Sequence, residues 1–222
     1  MVFSRFFLTI IIVGLLMCDV LLAKVEVHDD ISQYNSYIGQ EAGEEYKNKI
    51  GMNETIFPEK IEEEMDVEDY KMVYYNPWDP QYLSYLVVKY DDEAYMKECA
   101  RLANFESTEY LGIYGVTGFT KYDLLAMYAD NSQGFVYAIT DGEGKIIYVE
   151  LIFCNYFYDL NYKDYINNDY LPDGFDATQD NAYRKEKLNG WKGKKTLYQL
   201  TKNGICCIIV LLSSLELHFV RV

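Results

Sequence analysis

Positive charge is scarce in this chain, and histidine is scarcer. Residues 25–183 hold 10 Lys/Arg against 32 Asp/Glu, a net of −22. A phosphate backbone needs a basic face that displaces its counterions, so this composition argues against nucleic acid as a partner. The two histidines, His28 and His218, lie near the two ends. Neither has a supported route into a Ser-His-Asp or Cys-His arrangement in the middle of the chain. No Cys-x-x-Cys or His-x-x-x-His spacing occurs, which leaves a zinc site without ligands. Gly112, Gly115 and Gly118 recur every third residue but lack the strand-to-helix setting of a phosphate-cradling loop. The sequence therefore calls for no cofactor. Long apolar runs are also short in supply: Ile205 to Leu212, ICCIIVLL, is too brief to cross a bilayer.

Tyrosine, by contrast, is abundant at 23 residues. Its simplest use is as a phenylalanine substitute in strands and on half-exposed faces. At the N-terminus Arg5 precedes the apolar run Phe6 to Met17, and Ala23 follows at a candidate cleavage point. This outlines a secretory signal or an uncleaved signal anchor over residues 1–23, with the acidic body outside. Cys18 follows Met17 rather than a small residue, so it reads as a cysteine in an apolar helix and not as a lipid attachment point. Residues 24–70 read as an acidic stalk. Within it Ile31, Tyr34, Ile38, Ala42, Tyr46 and Ile50 recur near the helical period, which predicts a helix ending at Gly51. The run Glu59 to Asp69 reads as a solvated connector.

The domain itself is expected over residues 71–180. Lys71 to Tyr75 and Tyr82 to Tyr90 are strand candidates, followed by Asp91-Asp92-Glu93, a helix N-terminus. That helix runs to about Asn104 with Tyr95, Cys99, Leu102 and Ala103 on one apolar stripe. Strands are then predicted over Tyr110 to Val116, Leu124 to Tyr128 and the hairpin Gly134 to Tyr158, whose loop is Asp141-Gly142-Glu143-Gly144. With a four-residue loop, Thr140 opposes Lys145. Val136 and Ala138 then share a helix-facing core surface with Ile147, Val149, Leu151 and Phe153. The other face carries Phe135, Tyr137 and Ile139 with Ile146, Tyr148 and Glu150, either a second buried layer or a binding surface. The fold class is α+β, an antiparallel sheet of about five strands packed on one main helix. Alternation also sets Cys154 and Cys99 in different layers, which disfavours a disulfide between them. Residues 181–222 form a basic and then apolar tail.

Three sets of residues carry candidate chemistry. Glu150 interrupts an apolar and aromatic face, where desolvation favours a general acid; the plainer alternative is an exposed strand face. Asp169, Asp173 and Asp180 occupy the first, fifth and twelfth places of a calcium loop with Gly174 at the sixth, but Leu171 stands where the third ligand belongs. Trp78, Tyr137 and Tyr148 are the aromatic residues expected to contact a ligand.

The segments Tyr74 to Asp79 (YYNPWD), Tyr110 to Phe119 (YLGIYGVTGF) and Tyr148 to Phe157 (YVELIFCNYF) resemble a group of functionally uncharacterised, acidic, tyrosine-rich exported proteins of Gram-positive gut bacteria. The resemblance spans roughly Pro58 to Leu188 and implies export, with no activity attached. The expected function is a non-enzymatic extracytoplasmic binding domain, held near the membrane by its N-terminus and contacting a protein or a glycan. The alternative is a small carboxylate-dependent hydrolase acting on a cell-surface polymer.

Overall fold

The structure, a computed structural model, describes residues 23–183 and 185, apart from 40, 48, 53, 54, 78, 154–159, 179 and 180. The signal or anchor segment, Cys18, Trp78, Cys154, Asp180 and the tail's apolar run lie outside the described residues.

Six strands, β1 (Glu26–His28), β2 (Asp66–Tyr75), β3 (Gln81–Lys89), β4 (Asp123–Asp130), β5 (Gly134–Thr140) and β6 (Lys145–Ile152), form one sheet in the order β1-β2-β3-β6-β5-β4. Every pairing is antiparallel. Two helical turns, α1 (Tyr34–Tyr37) and α2 (Glu44–Lys47), precede β2, and the longest helix, α3 (Asp92–Ala103), connects β3 to β4. The Asp91 side chain accepts the Ala94 N–H at 2.8 Å, so the acidic triplet does start this helix. Tyr95, Cys99 and Leu102 pack on the sheet as the periodicity predicts, while Ala103 is exposed.

Both faces of the sheet are covered. On one, Tyr70, Met72, Tyr82, Leu86, Val88, Val136, Ala138, Ile146, Tyr148 and Ile152 meet α3 and the segment from Tyr34 to Phe57. On the other, Val73, Leu83, Tyr85, Val87, Phe135, Tyr137, Ile139, Ile147, Val149 and Leu151 meet Tyr114, Val116, Leu160, Tyr162, Ile166 and Ala177, which lie in irregular segments. Strands buried on both sides lose the apolar-polar alternation of a one-sided sheet, and β3, β5 and β6 read as nearly continuous apolar runs for this reason.

Three expectations are corrected by this arrangement. Residues 24–70 do not stand apart as a stalk: they add strand β1, the first part of β2 and a buried layer containing Tyr34, Ile38, Ala42, Tyr46, Ile56 and Phe57, and Ala23–Tyr183 forms one compact unit. Tyr34, Ile38, Ala42 and Tyr46 of the apolar spacing are buried, but Gly39, at φ 88°, breaks the continuous helix into short turns. Tyr110 to Val116 is not a strand; Gly112, Tyr114 and Gly115 all have positive φ, which extended backbone does not tolerate.

The third correction concerns register. Thr140 pairs with Ile146, not Lys145: the Asp141 carboxylate accepts the N–H groups of both Glu143 and Lys145 across the turn, and Lys145 begins β6 opposite Lys89. One residue of slip exchanges the faces of a whole strand. Val149 therefore lies with Tyr137 on the face away from α3, and Tyr148 and Glu150 lie with Val136 on the face that α3 and the N-terminal layer cover.

Candidate functional site

Glu150 sits at the centre of the sheet, opposite Ser84 on β3 and Val136 on β5, and its side chain is buried. Lys49 descends on it from the short turn Lys49–Gly51 of the N-terminal layer. Its ammonium lies 2.9 Å from Oε1 and 2.9 Å from Oε2 of Glu150. The Ser84 hydroxyl donates to Oε1 at 2.6 Å. The Tyr82 ring stands beside the pair, its centroid 5.7 Å from Lys49 Nζ. The side chains of Lys49 and Glu150 are 0% and 1% exposed, so bulk water does not reach them. Among the described residues the buried hydroxyl of Tyr70, on the same face, has no hydrogen-bond partner. Burial, with the charge of Glu150 as a lesser cause, pushes that phenol well above the usual tyrosine range. Glu150 is thus neither an exposed strand residue nor an open-cleft acid: it is half of an enclosed ion pair.

Tyr137 and Tyr148 are both fully buried and occupy opposite faces, so they form no common binding surface. Their hydroxyls tie covering segments to the sheet. Tyr137 donates to the Tyr170 carbonyl at 2.8 Å, and Tyr148 donates to Glu98 Oε1 of α3 at 2.6 Å. Tyr34 and Tyr82 do the same for the N-terminal layer, reaching the carbonyls of Pro58 and Glu45, each at 2.6 Å. Every described tyrosine is buried or half-buried. Burial holds the phenols of Tyr137 and Tyr148 well above their ordinary pKa.

The calcium-loop aspartates are engaged separately. Asp169 pairs with Lys121, and Asp173 Oδ1 accepts the Thr120 hydroxyl at 3.2 Å. Among the described residues no group of three His, Cys, Asp or Glu side chains is placed to hold a metal ion.

A second feature was not singled out by sequence reasoning. A shallow cleft beside the end of β4 is lined by Glu109, Leu111, Gly112, Ile113, Ala129, Asp130, Asn131 and Tyr183. Its lip is the turn 110–118, locked by hydrogen bonds from Thr117 N to Asp173 O and from Asp176 N to Tyr114 O, 2.8 and 2.9 Å long. The two strands of backbone cross closely: a Cβ on Gly174 would stand 2.5 Å from the Gly115 carbonyl oxygen. Tyr114 takes φ 49° in this crossing, an uncommon conformation for a bulky residue, and its ring packs on Phe135 and Phe175. The turn holds Leu111 outward, 60% exposed. The three-residue glycine spacing was the visible signal; its meaning is a turn held open by close backbone contact.

No protein family, curated protein or solved structure matches the chain. No helix among the described residues is long and apolar enough to cross a membrane.

Proposed function

We propose that the chain is an exported, membrane-proximal binding domain whose ligand docks in the cleft under Leu111. The observation that carries this reading is the combination of an exposed leucine with Glu109 and Asp130 at a turn pinned by a second loop. A pre-formed support lowers the ordering cost of binding. Among the described residues Val27, Met96 and Leu111 are the exposed large apolar side chains, and of these Leu111 lines the cleft. The surroundings favour a protein segment that carries apolar and basic side chains, with a glycan as the competing ligand. Trp78 stays in this reading as a contact expected from the sequence, and the run from Arg5 to Ala23 supplies the export signal or anchor. The hydrolase alternative depended on Glu150, which is enclosed and ion-paired and gives that alternative no support.

Binding of the purified full-length chain to cell envelopes, alongside a glycan panel, tests the reading. Leu111→Asp is expected to weaken envelope binding by about tenfold or more, as loss of a contact worth 1.4 kcal/mol or more does. Val27→Asp and Met96→Asp are expected to leave it unchanged. Equal binding by all three variants removes the cleft from consideration, and capture by the glycan panel instead of envelope protein makes the ligand a saccharide.

A further inference from the structure

We propose that Lys49 and Glu150 condense to an amide, so that the folded chain carries a covalent link between its N-terminal layer and the centre of its sheet. This stands apart from the ligand reading, because it concerns a site sealed from the surface. An ammonium and a carboxylate taken out of bulk water are costly as charges. Proton transfer from Lys49 to Glu150 removes both charges and leaves an amine against a carboxylic acid. The Nζ is already 2.9 Å from both oxygens of the carboxyl group it would attack. Fixed contact of this kind removes the translational and rotational cost of bringing the two groups together.

The two oxygens are not equivalent. Ser84 donates to Oε1 at 2.6 Å, which assigns Oε1 as the oxygen held while negative charge develops and then kept as the amide carbonyl. Oε2 is the leaving oxygen. The Lys49 nitrogen forms a bond to Glu150 Cδ, two ammonium protons pass to Oε2, the Cδ–Oε2 bond breaks, and one water departs. Nothing is oxidised or reduced, and no co-reactant is required. The product keeps one N–H and one carbonyl, and Ser84 remains in place as donor to the carbonyl. Val136 and Met72 flank the Glu150–Ser84 pair along the sheet, and both are buried, so the surroundings exclude the water that would reverse the step.

The test needs no variant. The full chain, purified folded, incubated and then denatured, is examined by intact mass and by tryptic mapping. The expected result is a mass lower by one water and a branched peptide joining residues 48–60 to residues 146–163, with no cleavage after Lys49. A chain kept unfolded in urea should yield only linear peptides. Lys49→Arg should show the full mass, and Ser84→Ala should form the link about a hundredfold more slowly, as loss of an oxyanion donor does. Linear peptides alone from the folded, incubated natural chain would mean an ion pair only and would overturn the proposal.

Discussion

Tyr148 and Tyr137 show what the tyrosines of this chain are for. Each places a ring in the interior, where phenylalanine would serve, and then sends a hydroxyl outward to an element that covers the sheet. Tyr148 also exchanges a hydrogen bond with Tyr90 at 2.8 Å. Its acceptor Glu98 is gripped in turn by Arg101, whose guanidinium reaches the carbonyls of Thr55 and Ile56, both at 2.7 Å. Removing such a hydroxyl takes a donor from a half-buried acceptor. Tyr148→Phe and Tyr137→Phe are each expected to cost about 1–2 kcal/mol in urea unfolding. Tyr128→Phe, on the half-buried edge strand β4, should stay within about 0.5 kcal/mol. Equal small effects at all three positions would show that the rings alone matter.

At the scale of elements, what could be read in the sequence was whatever depends on neighbours in the chain. The Asp91 cap, α3 and the cores of β2 to β6 follow from local periodicity and turn chemistry. Register failed by one residue at a turn where a single carboxylate, Asp141, takes the N–H of Lys145, a detail that residue classes do not encode. The partner of Glu150 was out of reach for a different reason: Glu150 is conspicuous in its apolar run, but Lys49 lies 101 residues away in a segment whose charge looked like a solvated stalk. The same segment supplies the outcome that best separates the two domain boundaries. A chain that begins at Lys71 lacks β1 and the layer over Tyr82, Leu86 and Tyr148, so it should expose that face, bind a hydrophobic dye and lose slow amide exchange. A chain beginning at Ala23 should keep both properties of the intact protein. A stable, dye-silent 71–183 fragment would restore the stalk.

For the whole molecule, the buried phenols set the alkaline limit of stability. Tyr70, Tyr90, Tyr137 and Tyr148 all hold their protons more tightly when folded, chiefly because burial disfavours the phenolate. In the unfolded chain tyrosines ionise near pH 10. The folded state therefore binds more protons above that pH. Stability is fully present below about pH 10 and falls as pH rises beyond it, by about 1.4 kcal/mol per pH unit for each such tyrosine. The share of tyrosinate absorbance that belongs to these buried phenols should rise together with the loss of circular dichroism. Full ionisation of all the tyrosines with the fold intact would contradict this account.

The strand order also fixes how the chain can assemble. β2–β3 and the β4–β5–β6 meander are each built from sequence neighbours, whereas β3 and β6 meet only after the intervening chain from Lys89 to Lys145 has been brought round. Two ribbons can thus form on their own, and the slow event is the closing of one central seam. Ser84 and Glu150 face each other on that seam. The pair that awaits Lys49 comes into existence only when the two halves have joined in the right register, so the N-terminal layer locks a sheet that is already correct.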